Sequence, residues 1–246
     1  MRKSIGVVII GRNEGDRLKR CFDSVLRTSK NMLPASKNII YVDSASTDES
    51  VSLAKKMGIT VVELDMNIPF SAARGRNTGF NHLMKIYPDV DYVQFIDGDC
   101  EMIDGWLAEA VGFLDAQKSY AIVTGRLRER HPESSGYNRL CEIEWNGPAG
   151  DVDYCGGIFM ARATAYRDVG GMNPAIVAGE EPEMCIRLRM KDWKIFRMNH
   201  DMAWHDAGMT RFSQWWKRSK RAGYAYAMGA SIHGKTRFRH YVREKR

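Results

Sequence analysis

Apolar and polar positions alternate in blocks through the first hundred residues. Ile5–Ile10 is a continuous apolar run that breaks off at Gly11-Arg12-Asn13-Glu14-Gly15, and after it Leu18, Cys21, Phe22, Val25 and Leu26 recur at helical spacing. Ile39–Val42 predicts a second short strand ending at Asp43, and Ser46-Thr47-Asp48-Glu49 then reads as a capping box opening the next helix. Ile59–Leu64 predicts a third strand, residues 72–86 a helix, and Tyr92–Ile96 a fourth strand. Short strands with both alternating faces apolar, separated by helices, predict an α/β fold with a mainly parallel sheet flanked by helices on both faces. The ligands of such a sheet bind beyond the carboxyl ends of its strands.

The pattern loosens after Gly125. Residues 126–150 are polar, rich in Arg and Glu, and without clear periodicity until Tyr137–Trp145, which reads as an excursion facing a substrate. A strand over Tyr154–Ala161, a short helix ending near Gly170-Gly171, a Glu-rich turn and helix over Gly179–Lys191, and a strand over Lys194–Met198 follow. A helix from Phe212 to about Ser231 then interleaves Trp215, Trp216, Tyr224 and Tyr226 with Lys217, Arg218, Lys220 and Arg221. This organisation predicts a main domain over residues 1–210, its two halves meeting near residue 100, and a basic aromatic extension over residues 211–246.

Acidic residues stand where the strand-end rule asks for them. Asn13 and Glu14 follow the first strand, Asp43 the second, and Asp97 and Asp99 the fourth. Asp43 or Asp48 taken singly reads equally as a helix cap, but three clusters at successive strand ends converge on one crevice. In Asp97-Gly98-Asp99 two carboxylates share one tight turn, where they repel unless a cation sits between them; oxygen ligands of this kind suit Mn²⁺ or Mg²⁺.

Composition narrows the setting. The 246 residues are 44% hydrophobic and 27% charged, as in ordinary globular proteins, and no run reaches the roughly 18–20 apolar residues of a membrane span. Met1-Arg2-Lys3-Ser4 leads straight into the first strand with no cleavage pattern, so no signal peptide is expected. The five scattered cysteines form no CxxC pair and predict reduced thiols in a cytoplasmic protein. The net charge of +7 suits an anionic partner, and the excess gathers late: from Arg211 onward eleven Lys and Arg face the single acid Glu244. That segment reads either as a solvated helix face and tail or as a contact with an anionic membrane or a diphosphate. No zinc, helix-turn-helix or RNP-like motif supports nucleic-acid binding.

Several of these segments together resemble the family 2 glycosyltransferases of the GT-A fold, over about residues 4–210. Val7-Val8-Ile9-Ile10-Gly11-Arg12-Asn13-Glu14 is similar to the family's first strand and Asn-Glu turn, and Val42-Asp43-Ser44-Ala45-Ser46-Thr47-Asp48 to its VDxxSTD segment, whose first Asp holds the base and ribose of the nucleotide. Ala73-Arg74-Gly75-Arg76-Asn77-Thr78-Gly79 resembles its ARNxG segment, whose Arg faces the nucleotide, and Asp97-Gly98-Asp99 its metal-binding DxD. Cys155-Gly156-Gly157-Ile158-Phe159-Met160 and Val169-Gly170-Gly171-Met172 are similar to the acceptor side, with Gly156 and Gly157 at its turn, and Gly179-Glu180-Glu181-Pro182-Glu183 to the ED motif of the catalytic base.

The resemblance implies an inverting, metal-assisted transfer from a nucleotide-diphosphate sugar, a UDP-sugar first among the candidates, to a hydroxyl acceptor. The acceptor would be a sugar, a lipid-linked glycan or another alcohol, in polysaccharide or glycolipid assembly at the inner membrane face. It implies donor contacts at Asn13, Glu14, Asp43, Arg76 and Asp97, a metal on Asp99 with His205 as a further ligand, and Glu180 on the acceptor side. Two positions depart from the family pattern. Ser44 stands where many relatives carry a second Asp, which leaves base recognition to Asp43, and Glu181 replaces the usual Asp of the ED pair. The base is then Glu181 or Glu180, and Glu181 before Pro182 also suits a helix start. A sugar nucleotidyltransferase and a non-catalytic binding module are the competing readings. Gly11-Arg12-Asn13-Glu14-Gly15 is a poor version of the first one's Gly-rich basic loop, and a binder has no use for a base.

Overall fold

A computed structural model describes residues 3–30 and 38–243. The first half alternates as the apolar pattern requires: β1 (Ile5–Gly11), α1 (Asp16–Ser29), β2 (Ile39–Asp43), α2 (Ser50–Lys56), β3 (Thr60–Glu63), α3 (Ala72–Ile86) and β4 (Tyr92–Asp97). The chain continues through β5 (Cys100–Met102), α4 (Trp106–Ala116), β6 (Tyr120–Glu129), α5 (Gly136–Trp145), β7 (Gly150–Asp151), β8 (Phe159–Arg162), α6 (Ala163–Asp168), α7 (Glu180–Met190), β9 (Lys194–His205) and α8 (Phe212–His233). The strands form one nine-stranded sheet in the order β3-β2-β1-β4-β8-β6-β9-β5, with β7 paired to β9.

β3, β2, β1 and β4 are parallel neighbours, so their carboxyl ends point to one edge. β8 then runs antiparallel to both β4 and β6, and β6 is parallel to β9. The sheet is thus parallel up to β4 and mixed beyond it. Side chains alternate between two packed layers, as strands buried on both faces demand. Val7, Ile9, Ile39, Tyr41 and Tyr92 meet Leu18, Phe22 and Trp106 on one face. Val8, Ile40, Val42, Val93 and Phe95 meet Ala73, Phe80, Leu83, Tyr166 and Leu188 on the other. Helix α3 lies close against β1 and β2 because Gly79 has no side chain: a Cβ there would stand 2.4 Å from Val8 Cγ1 and 2.9 Å from Val42 Cγ2.

Several expected boundaries move. Glu49 caps α2 without a side-chain bond, so the box expected from Ser46 to Glu49 does not form. Its residues divide between the turn after β1 and the start of α2: Ser46 Oγ accepts from the Asn13 amide at 3.0 Å and Asp48 from the Gly15 amide at 3.1 Å, while Asp48 also accepts from the Ser50 amide that opens α2, at 3.0 Å. The strand expected to begin at Tyr154 begins at Phe159. The strand expected to end at Met198 continues to His205, and the first part of the supposed excursion, Arg126–Glu129, is strand that pairs with it. Arg126 and Arg128 escaped the apolar criterion because they form cross-strand ion pairs with Asp201 at 2.8 and 3.4 Å. β5 and α4 carried no sequence expectation.

The five cysteines are buried free thiols, and Cys155 Sγ lies 3.7 Å from Cys185 Sγ. Among the described residues, no helix is long and apolar enough to cross a membrane. The first half of α8 and its middle leave Phe212, Trp216 and Tyr224 exposed, while Gly229, Ala230 and His233 are buried toward its far end.

Candidate active site

The carboxyl ends of β1 and β4 and the start of α3 enclose a crevice of about 240 Å³. Its lining includes Glu14, Ser44, Gly75, Arg76, Asp97 and Asp99. The turn after β1 is fixed by neighbours, not by its own propensity. Asn13 adopts a left-handed φ of 55°, its Oδ1 accepts from the Thr47 amide at 2.7 Å, and Asp43 accepts from Tyr41 Oη and the Ser46 amide, both at 2.8 Å. Asn13 thus staples the loops after β1 and β2 together and Asp43 shapes the second of them, and neither lines the crevice that Glu14, Arg76, Asp97 and Asp99 line. Burial and the nearby Asp99 carboxylate push the Glu14 carboxyl above its usual range.

Arg76 is the buried hub. Capping by Ser71, whose Oγ accepts from the Arg74 amide at 3.2 Å, starts α3 in the register that turns Arg76 inward. Its guanidinium donates to Asp97 Oδ1 at 2.7 Å and to the Gly157 carbonyl at 3.1 Å, and reaches Glu180 Oε1 at 3.5 Å. The Gly157 carbonyl carried no sequence signal of its own. A Cβ on that residue would stand 3.0 Å from Arg76 Nη2 and 3.2 Å from Asp97 Oδ2, so the close approach needs glycine. Burial raises the Asp97 carboxyl, and Arg76 offsets part of that rise.

Asp99 has a different environment. β5 follows the Asp97-Gly98-Asp99 turn and pairs antiparallel with the end of β9, setting Cys100 opposite His205. That ladder brings His205 Nε2 to 3.1 Å from Asp99 Oδ2. Burial alone would raise the Asp99 carboxyl; the His205 hydrogen bond and charge bring it below its usual range instead. Burial opposes, but Asp99 overcomes it, and the His205 imidazole is raised. The ring of Trp145, which the sequence offered only as the end of a helical pattern, packs edge-on at 4.6 Å from His205.

Asp99, Cys100 and His205 bring ligand atoms within 4.8 Å of one another. Cis ligands about 2.1 Å from an octahedral ion are roughly 3 Å apart, so the Asp99–His205 separation fits an oxygen-and-imidazole site for Mn²⁺ or Mg²⁺. Burial pushes the Cys100 thiol well up, which leaves it a poor ligand beside them.

Glu180 and Glu181 open α7 and diverge. Glu180 turns to Arg76, whereas Glu181 Oε1 accepts from the Cys155 amide at 2.6 Å and from Cys185 Sγ at 3.0 Å. Burial raises the Glu181 carboxyl, with the bonds from Cys185 and Cys155 working against it. Glu181 and Gly156, whose φ of +80° suits glycine, line a second cavity of about 840 Å³. Three consecutive residues therefore serve both spaces: Cys155 holds Glu181, Gly156 faces the larger cavity, and Gly157 holds Arg76.

Solved structures with the same fold include TarS 1–349 from S. aureus, 12% identical with a TM-score of 0.63, the match covering 91% of this chain and 65% of that one. The same S. aureus fragment in complex with UDP-GlcNAc matches at 13% identity and a TM-score of 0.62, covering 82% of this chain and 58% of that one. The mannosyltransferase PcManGT from Pyrobaculum calidifontis, in complex with GDP-Man and Mn²⁺, is 17% identical with a TM-score of 0.67, covering 93% of this chain and 64% of that one. The chain thus spans 58 to 65% of the length of these three structures. No curated protein matches the sequence. The family model for glycosyl transferase family 2 matches residues 6–169 of the 246, and the chain belongs to that family of sugar-transferring enzymes.

Proposed function

We propose that this glycosyltransferase moves a sugar from a nucleotide-diphosphate donor, a UDP-sugar, to a hydroxyl acceptor with inversion, aided by Mn²⁺ or Mg²⁺. The observation that carries the proposal is the Asp99–His205 pair, 106 residues apart in sequence and 3.1 Å apart in space, at the crevice that Arg76 and Asp97 line. UDP-GlcNAc and GDP-Man with Mn²⁺ in structures of the same fold support a nucleotide sugar and a divalent ion. In this assignment residues 1–100 form the donor half, residues 101–210 the acceptor half, and residues 211–246 a basic extension.

Each side chain then has a task. Asp43 is assigned to the nucleoside, with Asn13 holding the loop beside it, and Glu14 to the donor through the crevice wall. Asp97, held by Arg76, orients the donor. Asp99 and His205 would hold the metal, which supplies positive charge for the departing diphosphate. Glu181 removes the proton of the attacking hydroxyl: it lines the larger cavity, and burial raises its carboxyl, which makes it a stronger base than an ordinary carboxylate. Glu180, engaged by Arg76, positions the first turn of α7. The exposed Phe212, Trp216 and Tyr224, with Lys217, Lys220 and Arg221 on the same helix, support a seat on an anionic membrane surface during polysaccharide or glycolipid assembly.

The test is donor binding and hydrolysis across UDP-, GDP- and dTDP-sugars, with and without Mn²⁺. Asp99→Ala is expected to remove metal-dependent turnover, and Glu181→Gln to remove transfer while sparing donor binding. Metal-dependent turnover by Asp99→Ala, or no binding of any nucleotide sugar, would overturn the reading. Undiminished transfer by Glu181→Gln would move the base elsewhere.

A further inference from the structure

The cavity beside Glu181 has walls that the family-matched region does not provide. Its lining combines Tyr154 and Gly156 with Tyr226 from α8 and Arg239, Tyr241 and Arg243 from the segment after it. The family model ends at residue 169, so the α8 side of the cavity lies outside the matched region. At about 840 Å³ the cavity lies within the roughly 300–1,000 Å³ of small-ligand pockets.

This wall is firmly built. His233 on α8 lies 3.0 Å from Glu183 on α7, and Arg187 grips the same carboxylate. Gly229 gives the returning segment its seat: a Cβ there would stand 2.8 Å from Tyr241 and 2.9 Å from His240. The Tyr241 ring lies tilted against His240 at 3.9 Å and meets the Tyr226 ring edge-on at 4.8 Å. Arg239 and Tyr241 take left-handed φ values of 48° and 54°, a conformation non-glycine residues hold only when their surroundings impose it.

The chemistry of the wall is selective. Tyr154 and Tyr226 are exposed into the space, and phenol rings suit a ligand with an apolar face and a polar edge, as a pyranose has. Arg189, also at the rim, is already committed to Asp153 at 2.7 Å and to the Phe238 ring. Arg239 and Arg243 are exposed and make no ion pair among the described residues. Guanidinium groups in this setting match the planar fork of a carboxylate or the oxygens of a phosphate.

From this wall, and resting on the reading of Glu181 as the base, we propose that the acceptor is an anionic sugar: its ring lies against Tyr154, Tyr226 and Tyr241, and its carboxylate or phosphate is held by Arg239 and Arg243. The acceptor hydroxyl then meets Glu181 while its charge stays at the opposite wall.

Methyl β-glucoside, methyl β-glucuronide and glucose 6-phosphate distinguish the possibilities, titrated against the full chain saturated with UDP and Mn²⁺. The proposal expects at least one anionic probe to bind about tenfold more tightly than the neutral glycoside, the gain of one good charge-assisted contact. Which probe gains tells carboxylate from phosphate. Added salt should shrink the preference, and Arg239→Gln with Arg243→Gln should reduce it to within about threefold while UDP affinity stays unchanged. Equal binding of all three probes, or a preference that survives the double substitution, overturns the proposal. Tighter attachment to anionic vesicles that is lost in the double variant, without any preference among the sugars, also overturns it and gives the arginines to a membrane. UDP affinity is read separately: its absence defeats the donor assignment, and the sugar preference stands or falls without it.

Discussion

Gly79→Ala tests how α3 is seated. In an exposed helix interior this substitution stabilises by about 1 kcal/mol, because alanine has less backbone entropy to lose. At Gly79 the new methyl would stand 2.4 Å from Val8 Cγ1, over 1 Å inside ordinary contact, and 2.9 Å from Val42 Cγ2. Both obstacles are stiff, buried, β-branched side chains in the middle of strands, so the relief must come from α3 moving outward. Overpacking costs roughly 1–3 kcal/mol, and an approach of 2.4 Å belongs to the upper part of that range, about 2–3, which leaves a net loss of about 1–2 kcal/mol after the propensity gain. Gly112 on α4 is the control, since a Cβ there meets nothing within 4 Å. For a chain of this size each kcal/mol moves the melting temperature by about 2–4 °C. Scanning calorimetry should thus lower the midpoint of Gly79→Ala by several degrees and raise that of Gly112→Ala. Arg76 sits one turn before Gly79, so nucleotide-sugar affinity should fall in the first variant only. Equal and positive midpoint shifts in the two variants would refute the packing argument.

The Arg187 clamp should matter as much. It donates to both oxygens of Glu183 and to the Val169 and Gly171 carbonyls, so Arg187→Met should cost about 2–4 kcal/mol in urea denaturation, less than for a fully buried pair because Arg187 is 25% exposed. Stability should also carry a signature of Glu183. Burial acts the other way, yet the Arg187 and His233 bonds hold its carboxyl below the ordinary value, so its contribution is complete above the unfolded value of about 4.3 and is lost as pH falls through the depressed folded value. Glu183→Gln should flatten that acid limb between pH 5 and 3, as read by denaturant midpoints at each pH; an unaltered limb would place the acid sensitivity elsewhere. Where transfer is assayed, the raised Glu181 carboxyl should set the acid limb of kcat/KM above the ordinary carboxylate range, and a limb at pH 4 would remove Glu181 from the proton-transfer step.

The strand ends were legible because the forces that make them are local. Ile5–Gly11, Ile39–Asp43 and Tyr92–Asp97 are buried on both faces, so apolar residues dominate until the polar turn, Gln94 being kept inside by its bond from Trp106, and the turn marks the crevice. The Arg76 position was legible through the sequence around it. What escaped depends on partners far along the chain. Arg126 and Arg128 look like loop residues until Asp201 is set across from them, and the Ser46–Glu49 segment looks like a cap until the turn at Asn13 claims its side chains. The divergence of Glu180 from Glu181 is likewise invisible in two adjacent identical letters, since one answers to Arg76 and the other to Cys155 and Cys185. The wall after α8 rests on Gly229 and two left-handed residues, features with no periodic signature.

Arg76 spans the boundary between the parallel and mixed parts of the sheet. A single guanidinium touches Asp97 at the proposed donor crevice, the Gly157 carbonyl at the turn beside the proposed acceptor cavity, and Glu180 one residue before the proposed base. Two binding events therefore share one rigid cation, and linkage makes the traffic symmetrical: whatever factor the nucleotide sugar adds to acceptor affinity, the acceptor returns to the nucleotide sugar. Where that factor is favourable, an acceptor that settles well slows the escape of its donor, and an empty acceptor cavity leaves the donor more loosely held.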